Sequence, residues 1–501
     1  RVGHYLNPTT EPELMRICER EMLENHQQIL LEKEGSGCSV LLANEKNNDL
    51  SRMYQLFSRC PYGLTSMATI VRKHITKSGN AIMAKREERI EAGEKETSQD
   101  PVLVKELLDL HDKYMAMVSQ NFAGNALLQK ALKDAFTEFV NRDIGKYKTA
   151  GLMSNFCDRI VKTGGEKLSE REVEEYLSKI VMLFSYITDK DLFAEIYRQQ
   201  LAKRLLNHRS LSDDAERLMI GKLKLKCGSQ FTCRMEGMMN DLAIGADHAS
   251  EFEEYYRGLK KQNDIDFSVQ VLTTGYWPNF RPVNLVFPSE LNRCMNIFKE
   301  YYDRKYSKRR LSWMHSLGNL SIKAMYPNSK TYDLLVTTLQ GCVLMLFSTE
   351  NEMLDLKQII ERVNIPDEVC KRVLHSLSCG KIKVLKREGT SVTVKSTDKF
   401  GFNPKFSSPM RKIRIPMASL EDNQGSKRVE EDRSVAIEAS IVRIMKTRKI
   451  LGHQQLVAEV LSQLHLFKPN PRNIKCRIEA LIEREYLERD ADQANTYRYL
   501  A

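Results

Sequence analysis

Apolar positions recur at three- and four-residue intervals through most of the first half of the chain. In "TTEPELMRICEREMLENHQQILLEKE", Thr10 is placed to cap a helix, and Pro12 and the acidic residues occupy its first turn. Leu14, Ile17, Met22, Ile29 and Leu30 then follow at roughly helical spacing, which predicts one long amphipathic helix. "NNDLSRMYQLFSRC" and "DPVLVKELLDLHDKYMAMVSQNF" repeat the pattern, and the charged run "AKREERIEAGEKETSQ" between them, residues 84–99, reads as a solvated connection. More helices are predicted from about residue 125 to 260. In "TDKDLFAEIYRQQLAKRLL", Phe193, Ile196, Tyr197, Leu201 and Leu205 share one face, and the next helix starts at Ser212 with Asp213 and Asp214 complementing its dipole. Stripes this wide must be buried against each other, which implies bundles.

The pattern changes near residue 264. "IDFSVQVLTTGYWP" alternates and is β-rich, "PVNLVFP" reads as a second strand, "PSELNRCMNIFKEYYDRKY" as a helix, and "RRLSWMHSLGNLSIKAMY" as further strand. A small α/β domain with an open sheet edge is expected, and such an edge can take up a strand from another chain. "DLKQIIERV", a turn at "NIPDE", "EVCKRVLHSLSCGK" and "IKVLKREGTSVTVK" then give helix, turn, helix and wing, an order that the last eighty or so residues repeat. Two winged helices are the economical reading, joined by the aperiodic polar "IPMASLEDNQGSKRVEED". The predicted class is mainly α with a small α+β part. The boundaries fall at residues 1–125, 126–262 (helical bundle), 263–345 (α/β), 346–415 (first winged helix), 416–430 (linker) and 431–501 (second winged helix).

Composition narrows the functional classes. The 501 residues are 42% hydrophobic and 29% charged, enough for real cores and a soluble surface, and no run approaches the length of a membrane span. Eleven cysteines are scattered without a C-x-x-C pair, so neither a disulfide framework nor a zinc module is expected, and the chain reads as globular, of the cytoplasm and nucleus. Phosphate-loop, nucleophile-elbow and metalloprotease motifs are absent, which points to an interaction protein rather than an enzyme. Winged helices in a chain whose net charge is +11 invite a nucleic-acid reading, which is the alternative. Against it, the candidate recognition helix from Arg472 to Asp490 carries five cations and five acids, whereas a groove-reading helix should be net basic.

One stretch in the last domain stands out. "IVRIMKTRKI", residues 441–450, crowds four cations beside five apolar side chains. At about 100° per residue, Ile437, Ile441 and Ile444 cluster within roughly 40° of one direction while Lys446 points about 180° from Ile437. The isoleucines are expected to anchor and the lysine to project, an amine being the nucleophile of any acyl transfer.

Several independent stretches resemble the cullin family: "IVRIMKTRKILGHQQLV", "LIEREYLERD", the terminal "YRYLA", "DKDLFAEIYRQQLAKRLL", "SDDAERLMIGKLKLKCGSQFT", "MEGMMNDL" and "VLTTGYWP". The likeness runs over essentially the whole chain and, through "LEKEGSGC", "DLSRMY", "LHDKYM" and "VLHSLSCGK", is strongest to the plant cullin-1 type. The resemblance implies a non-catalytic scaffold of an SCF-type, RING-containing ubiquitin ligase, with residues 1–125 the end of a cullin-repeat stalk. By the same resemblance, Phe267, Val269, Val271 and Trp277 would accept a strand from the RING-box protein, which supplies the zinc and recruits the charged E2 enzyme; no cofactor is expected in this chain. Lys446 would take the neddylation modifier through an isopeptide bond, with Arg443, Met445, Lys449 and Tyr499 serving the ligase that attaches it and the signalosome that removes it. A cullin-associated exchange factor is a further implied partner. Arg304, Lys305, Lys308, Arg309 and Arg310 form a possible basic patch for the E2. The Skp-type adaptor with its F-box protein binds earlier cullin repeats, so the chain is expected to bind the RING subunit but not that adaptor.

Overall fold

The computed structural model describes all residues except 1–6, 8–9, 94–95, 165–167, 259–264, 281, 327–330, 349–352, 381, 390–392, 418–424, 491–492, 494 and 501. It divides into two compact units, Arg1–Thr232 with Gly425–Ala501, and Cys233–Gln424.

The first unit is helical up to its C-terminal part. The single long helix expected at the start is broken into Thr10–Glu19, a π-helical turn Arg20–Glu24 and Gln27–Glu32. The Asn25 amide donates to the Arg20 carbonyl at 3.0 Å, five residues back, and the first two segments bury no side chain that would hold them straight. The Gly63–Glu91 helix packs along Ala126–Val140. Gly79 makes the approach possible, since a Cβ there would lie 2.4 Å from the Phe139 ring. This helix runs through the first half of the charged stretch 84–99, so that stretch is no simple solvated connection. Arg86 is 3% exposed and ion-paired with Glu96 and Asp100 at 3.4 and 3.7 Å. It continues the buried row Met67, Val71, Ile75, Gly79, Met83 at helical spacing.

Further along, Ser212 caps its helix by accepting from the Ala215 amide, and the helix places Glu216 against Lys190–Leu206. Glu216 is fully buried and takes a bidentate bond from Arg204, Nε to Oε1 at 2.7 Å and Nη2 to Oε2 at 2.8 Å. Tyr197 and Ser210 donate to the same carboxylate at 3.1 and 2.9 Å, and Asp158 takes the remaining Arg204 nitrogen. Burial would lower the pKa of Arg204, but Glu216 outweighs it and the guanidinium is held charged.

In the second unit one core spans what the sequence divides at residue 345. β1 (Asn319–Met325) pairs antiparallel with β2 (Thr331–Thr337). β3 (Leu354–Asp355), β4 (Leu385–Glu388) and β5 (Lys399–Phe402) form the wing sheet in the order β3-β5-β4. β6 (Lys412–Arg414) then returns to lie parallel to β2, Leu334 opposite Ile413. Leu334, Val343, Ile359, Val373, Phe400 and Ile413 belong to a single buried cluster, so the α/β part and the first winged helix share one interior. The strands expected at 265–272 and 283–287 do not form. Inward and exposed residues alternate along both, but no described segment supplies a ladder; one backbone bond, from the Val286 amide to the Val363 carbonyl at 3.0 Å, ties the second stretch down. Phe267, Val269 and Val271 pack on Phe252, Phe298 and Tyr302. Cys227 is half-buried and Cys233 exposed.

The C-terminal part of the first unit opens with the Gly425–Arg448 helix, so helix begins inside the predicted linker 416–430, of which 418–424 lie outside the described residues. His453–Gln463 and Pro471–Glu483 follow, with a sheet of β7 (Ile450–Gly452), β8 (Leu487–Arg489) and β9 (Thr496–Tyr499) in the order β7-β9-β8. This winged helix docks on the start of the Lys190–Leu206 helix. Arg433 lies 4.9 Å from the Phe467 ring centre, bonds both Asp191 oxygens at 2.5 and 2.7 Å and reaches Asp189 at 3.0 Å, while the Lys190 amide donates to the Leu466 carbonyl. Charge-assisted bonds of this kind are each worth about 1.5–3 kcal/mol, so Arg433→Glu is expected to undock the domain. Faster amide exchange at Lys190 would report it, and unchanged exchange would show that Arg433 is not the clamp. Burial raises the pKa of Asp189, but Lys148 and Arg433 more than compensate and hold it below the usual value. That carboxylate's contribution is therefore complete above its unfolded pKa and is lost as pH falls through its folded one.

Candidate functional site

The exposed end of the Gly425–Arg448 helix is built as its spacing requires. Ile437, Ile441 and Ile444 are 3%, 0% and 2% exposed, and Lys446 projects from the opposite face. Met445 is fully buried in the same cluster as the isoleucines, which removes it from any docking surface. The helix ends because Lys449 turns to a left-handed φ of 66°, its amide donating to the Met445 carbonyl at 2.8 Å. Its own carbonyl accepts from the Tyr499 amide at 2.9 Å, which continues the β7–β9 ladder back to the helix end.

This geometry divides the four cations of the stretch. Arg448 is ion-paired with Glu459 at 3.3 Å, and the Lys449 ammonium lies 5.1 Å from the centre of the Tyr499 ring. Arg443 and Lys446 are exposed and have no ion pair among the described residues. Beside Lys446 runs a shallow groove between two helices, with Val435, Ala439, Val442 and Leu481 as its apolar lining and Glu438, Arg484 and Tyr486 along its sides. Glu438 is fixed by Arg484 at 2.6 Å and by Arg477 at 3.5 Å. The sequence reading passed over this groove, although Val435, Ala439 and Val442 stand at i, i+4 and i+7 and form a second, narrower stripe. A free primary amine beside an apolar channel is equipped to receive an acyl group.

The other expected sites fare differently. Trp277 is 3% exposed and donates to Asp241 at 2.7 Å; Asp241 also takes the Thr273 amide, so Trp277 anchors a turn instead of lining a strand edge. Phe267, Val269 and Val271 are half-buried against the aromatic cluster. In the basic patch, Arg304 contacts the Tyr255 hydroxyl at 3.5 Å, Lys305 is paired with Glu251 and Arg309 lies over Tyr306 at 4.8 Å. Lys308 and Arg310 are exposed. Three of the five cations of the candidate recognition helix are engaged in ion pairs, Arg477 and Arg484 with Glu438 and Arg489 with Glu479, while Arg472 and Lys475 are exposed. Among the described residues no group of His, Cys, Asp and Glu is placed to hold a metal ion, and no helix is long and apolar enough to cross a membrane.

Comparison with known families agrees with this architecture. The cullin alpha solenoid domain matches residues 1–249, the cullin alpha+beta domain 271–406 and the cullin protein neddylation domain 432–493. Cullin-1 of Oryza sativa subsp. japonica is 44% identical over 510 residues, covering all of this chain and 68% of that protein. Cullin-2 of Arabidopsis thaliana is 43% identical with the same coverage, and Cullin-3 of Dictyostelium discoideum is 38% identical over 541 residues, all of this chain and 69% of that one.

Proposed function

The chain belongs to the cullin family, and from that premise we propose that it is the scaffold subunit of a cullin-RING ubiquitin ligase, regulated by attachment of the neddylation modifier to Lys446. The observation that carries this reading is the exposure of Lys446 beside an apolar groove, on a helix whose opposite face is locked into the core. The chain supplies an acceptor amine; the thioester that is attacked comes from the conjugating enzyme. The test is a reconstituted conjugation reaction on the chain with its RING-box subunit, read by intact mass and peptide mapping. One adduct, on Lys446, is the expected result. No adduct, or an adduct elsewhere, would refute the reading.

The RING-box protein is proposed to dock on the second unit by strand addition. Residues 265–272 alternate half-buried and exposed positions without a ladder, and β1 is an open edge of its sheet among the described residues. An incoming strand would satisfy these groups, as sheet augmentation does generally. The zinc would enter with that partner, and the charged E2 with it. Gln270 is exposed, so Gln270→Pro removes a backbone donor without disturbing the aromatic core. Recovery of the RING-box protein in co-purification should fall at least several-fold; unchanged recovery would exclude this stretch as the docking strand.

A further inference from the structure

We propose that Tyr499 is a specificity-determining residue for the modification, holding Lys449 on its ring so that the acyl group is delivered to Lys446 in preference to Lys449. The inference rests on the reading of Lys446 as acceptor and adds to it a reason why one lysine is chosen from two. Lys446 and Lys449 are three residues apart at the end of one helix, and both are exposed. An enzyme that brings a thioester to one brings it near the other. Exposure therefore does not discriminate between them.

Engagement does. The left-handed turn at Lys449 and the hydrogen bond from the Tyr499 amide to the Lys449 carbonyl fix the two backbones side by side. The Lys449 ammonium is thereby placed 5.1 Å from the ring centre, within the range of a cation–π contact. The ring itself is fixed from the core side, Tyr499 being packed against the buried cluster of the winged helix. No contact of this kind holds Lys446 among the described residues.

The chemistry turns on which nitrogen is available. In the transfer, the neutral amine attacks the thioester carbonyl of the modifier, the C–N bond forms as the C–S bond breaks, and the leaving sulfur ends as a thiol with the proton the amine gives up. An ammonium held against a ring must first leave it before it can deprotonate and attack. At an exposed site such a contact slows that lysine by about two- to five-fold relative to an unheld one.

The experiment has an enzyme-free arm and an enzymatic arm. In the first, the whole chain is treated with a limiting N-hydroxysuccinimide acetate, and acetylation is quantified lysine by lysine by mass spectrometry. Lys449 should react more slowly than Lys446; Tyr499→Leu should raise Lys449 labelling about two- to five-fold, and Tyr499→Phe, which keeps the ring, should leave it unchanged. Labelling of Lys449 that does not respond to Tyr499→Leu overturns the proposal, whatever the enzymes do. In the second arm, conjugation of the modifier to Lys449 should run about two- to five-fold faster in Lys446→Arg/Tyr499→Leu than in Lys446→Arg/Tyr499→Phe. Equal conjugation of both double variants also overturns the proposal. If the acetylation pattern holds and the unaltered chain takes no modifier, the acceptor reading of Lys446 fails while the hold of Tyr499 on Lys449 stands.

Discussion

A chain carrying Lys446→Arg is expected to lose the adduct at position 446, while still folding and still retaining its RING-box partner. Arginine keeps the length and charge of the side chain but stays protonated at any working pH, so it offers no nucleophilic nitrogen. Lys446 is exposed and makes no ion pair among the described residues, so the replacement should change stability by no more than about 0.5 kcal/mol. Loss of the adduct would then be a loss of chemistry and not of structure. Conjugation followed by intact mass, with thermal unfolding measured on the same preparation, separates the two. A variant that is modified to the same extent as the unaltered chain would place the acceptor elsewhere.

The largest loss of stability is expected inside the helical bundle. Glu216→Gln leaves Arg204, 2% exposed, without the carboxylate that holds two of its nitrogens, and Asp158 alone must balance it. Removing one partner of a buried pair costs about 3–5 kcal/mol, because the other charge stays buried without full compensation. The urea midpoint should fall accordingly, and a change below about 1 kcal/mol would show that the site hydrates freely. Replacing both partners, as in Arg204→Met with Glu216→Leu, should recover most of the loss, since apolar groups of similar volume leave no charge to satisfy. Failure of the double variant to recover would attribute the effect to shape, not charge.

What the sequence discloses depends on whether a feature is local. The isoleucine stripe and the projection of Lys446 follow from helical geometry, and both hold. Met445 was within reach of the same geometry: it lies about 40° from Ile441, at the margin of the stripe, and so is buried. Arg204 was visible as a cation three residues after Leu201 and seven after Tyr197, on the apolar face. A charge in such a place signals a buried partner, but nothing local identifies that partner as Glu216. The core shared across 345/346 could not be read, because β6, three residues long, returns to β2 across some eighty residues and leaves no periodic trace. Alternation at 267–271 was legible, whereas the ladder was not, since a strand needs a neighbour that this chain does not provide among its described residues. The contact of Lys449 with Tyr499 depends on sheet pairing around a helix end and could not be read at all.

The clamp at Arg433 sets a schedule for biosynthesis. Its carboxylates are made first: Asp191 leaves the ribosome 242 residues before Arg433 does. At about 5–20 residues per second the interval is on the order of 10–50 s. Throughout that time the acidic start of the Lys190–Leu206 helix is made but lacks Arg433, and the entire second unit is synthesised before the winged helix arrives. In that window Asp189 already has Lys148 at 2.9 Å, made before it, so the carboxylate that waits for its cation is Asp191.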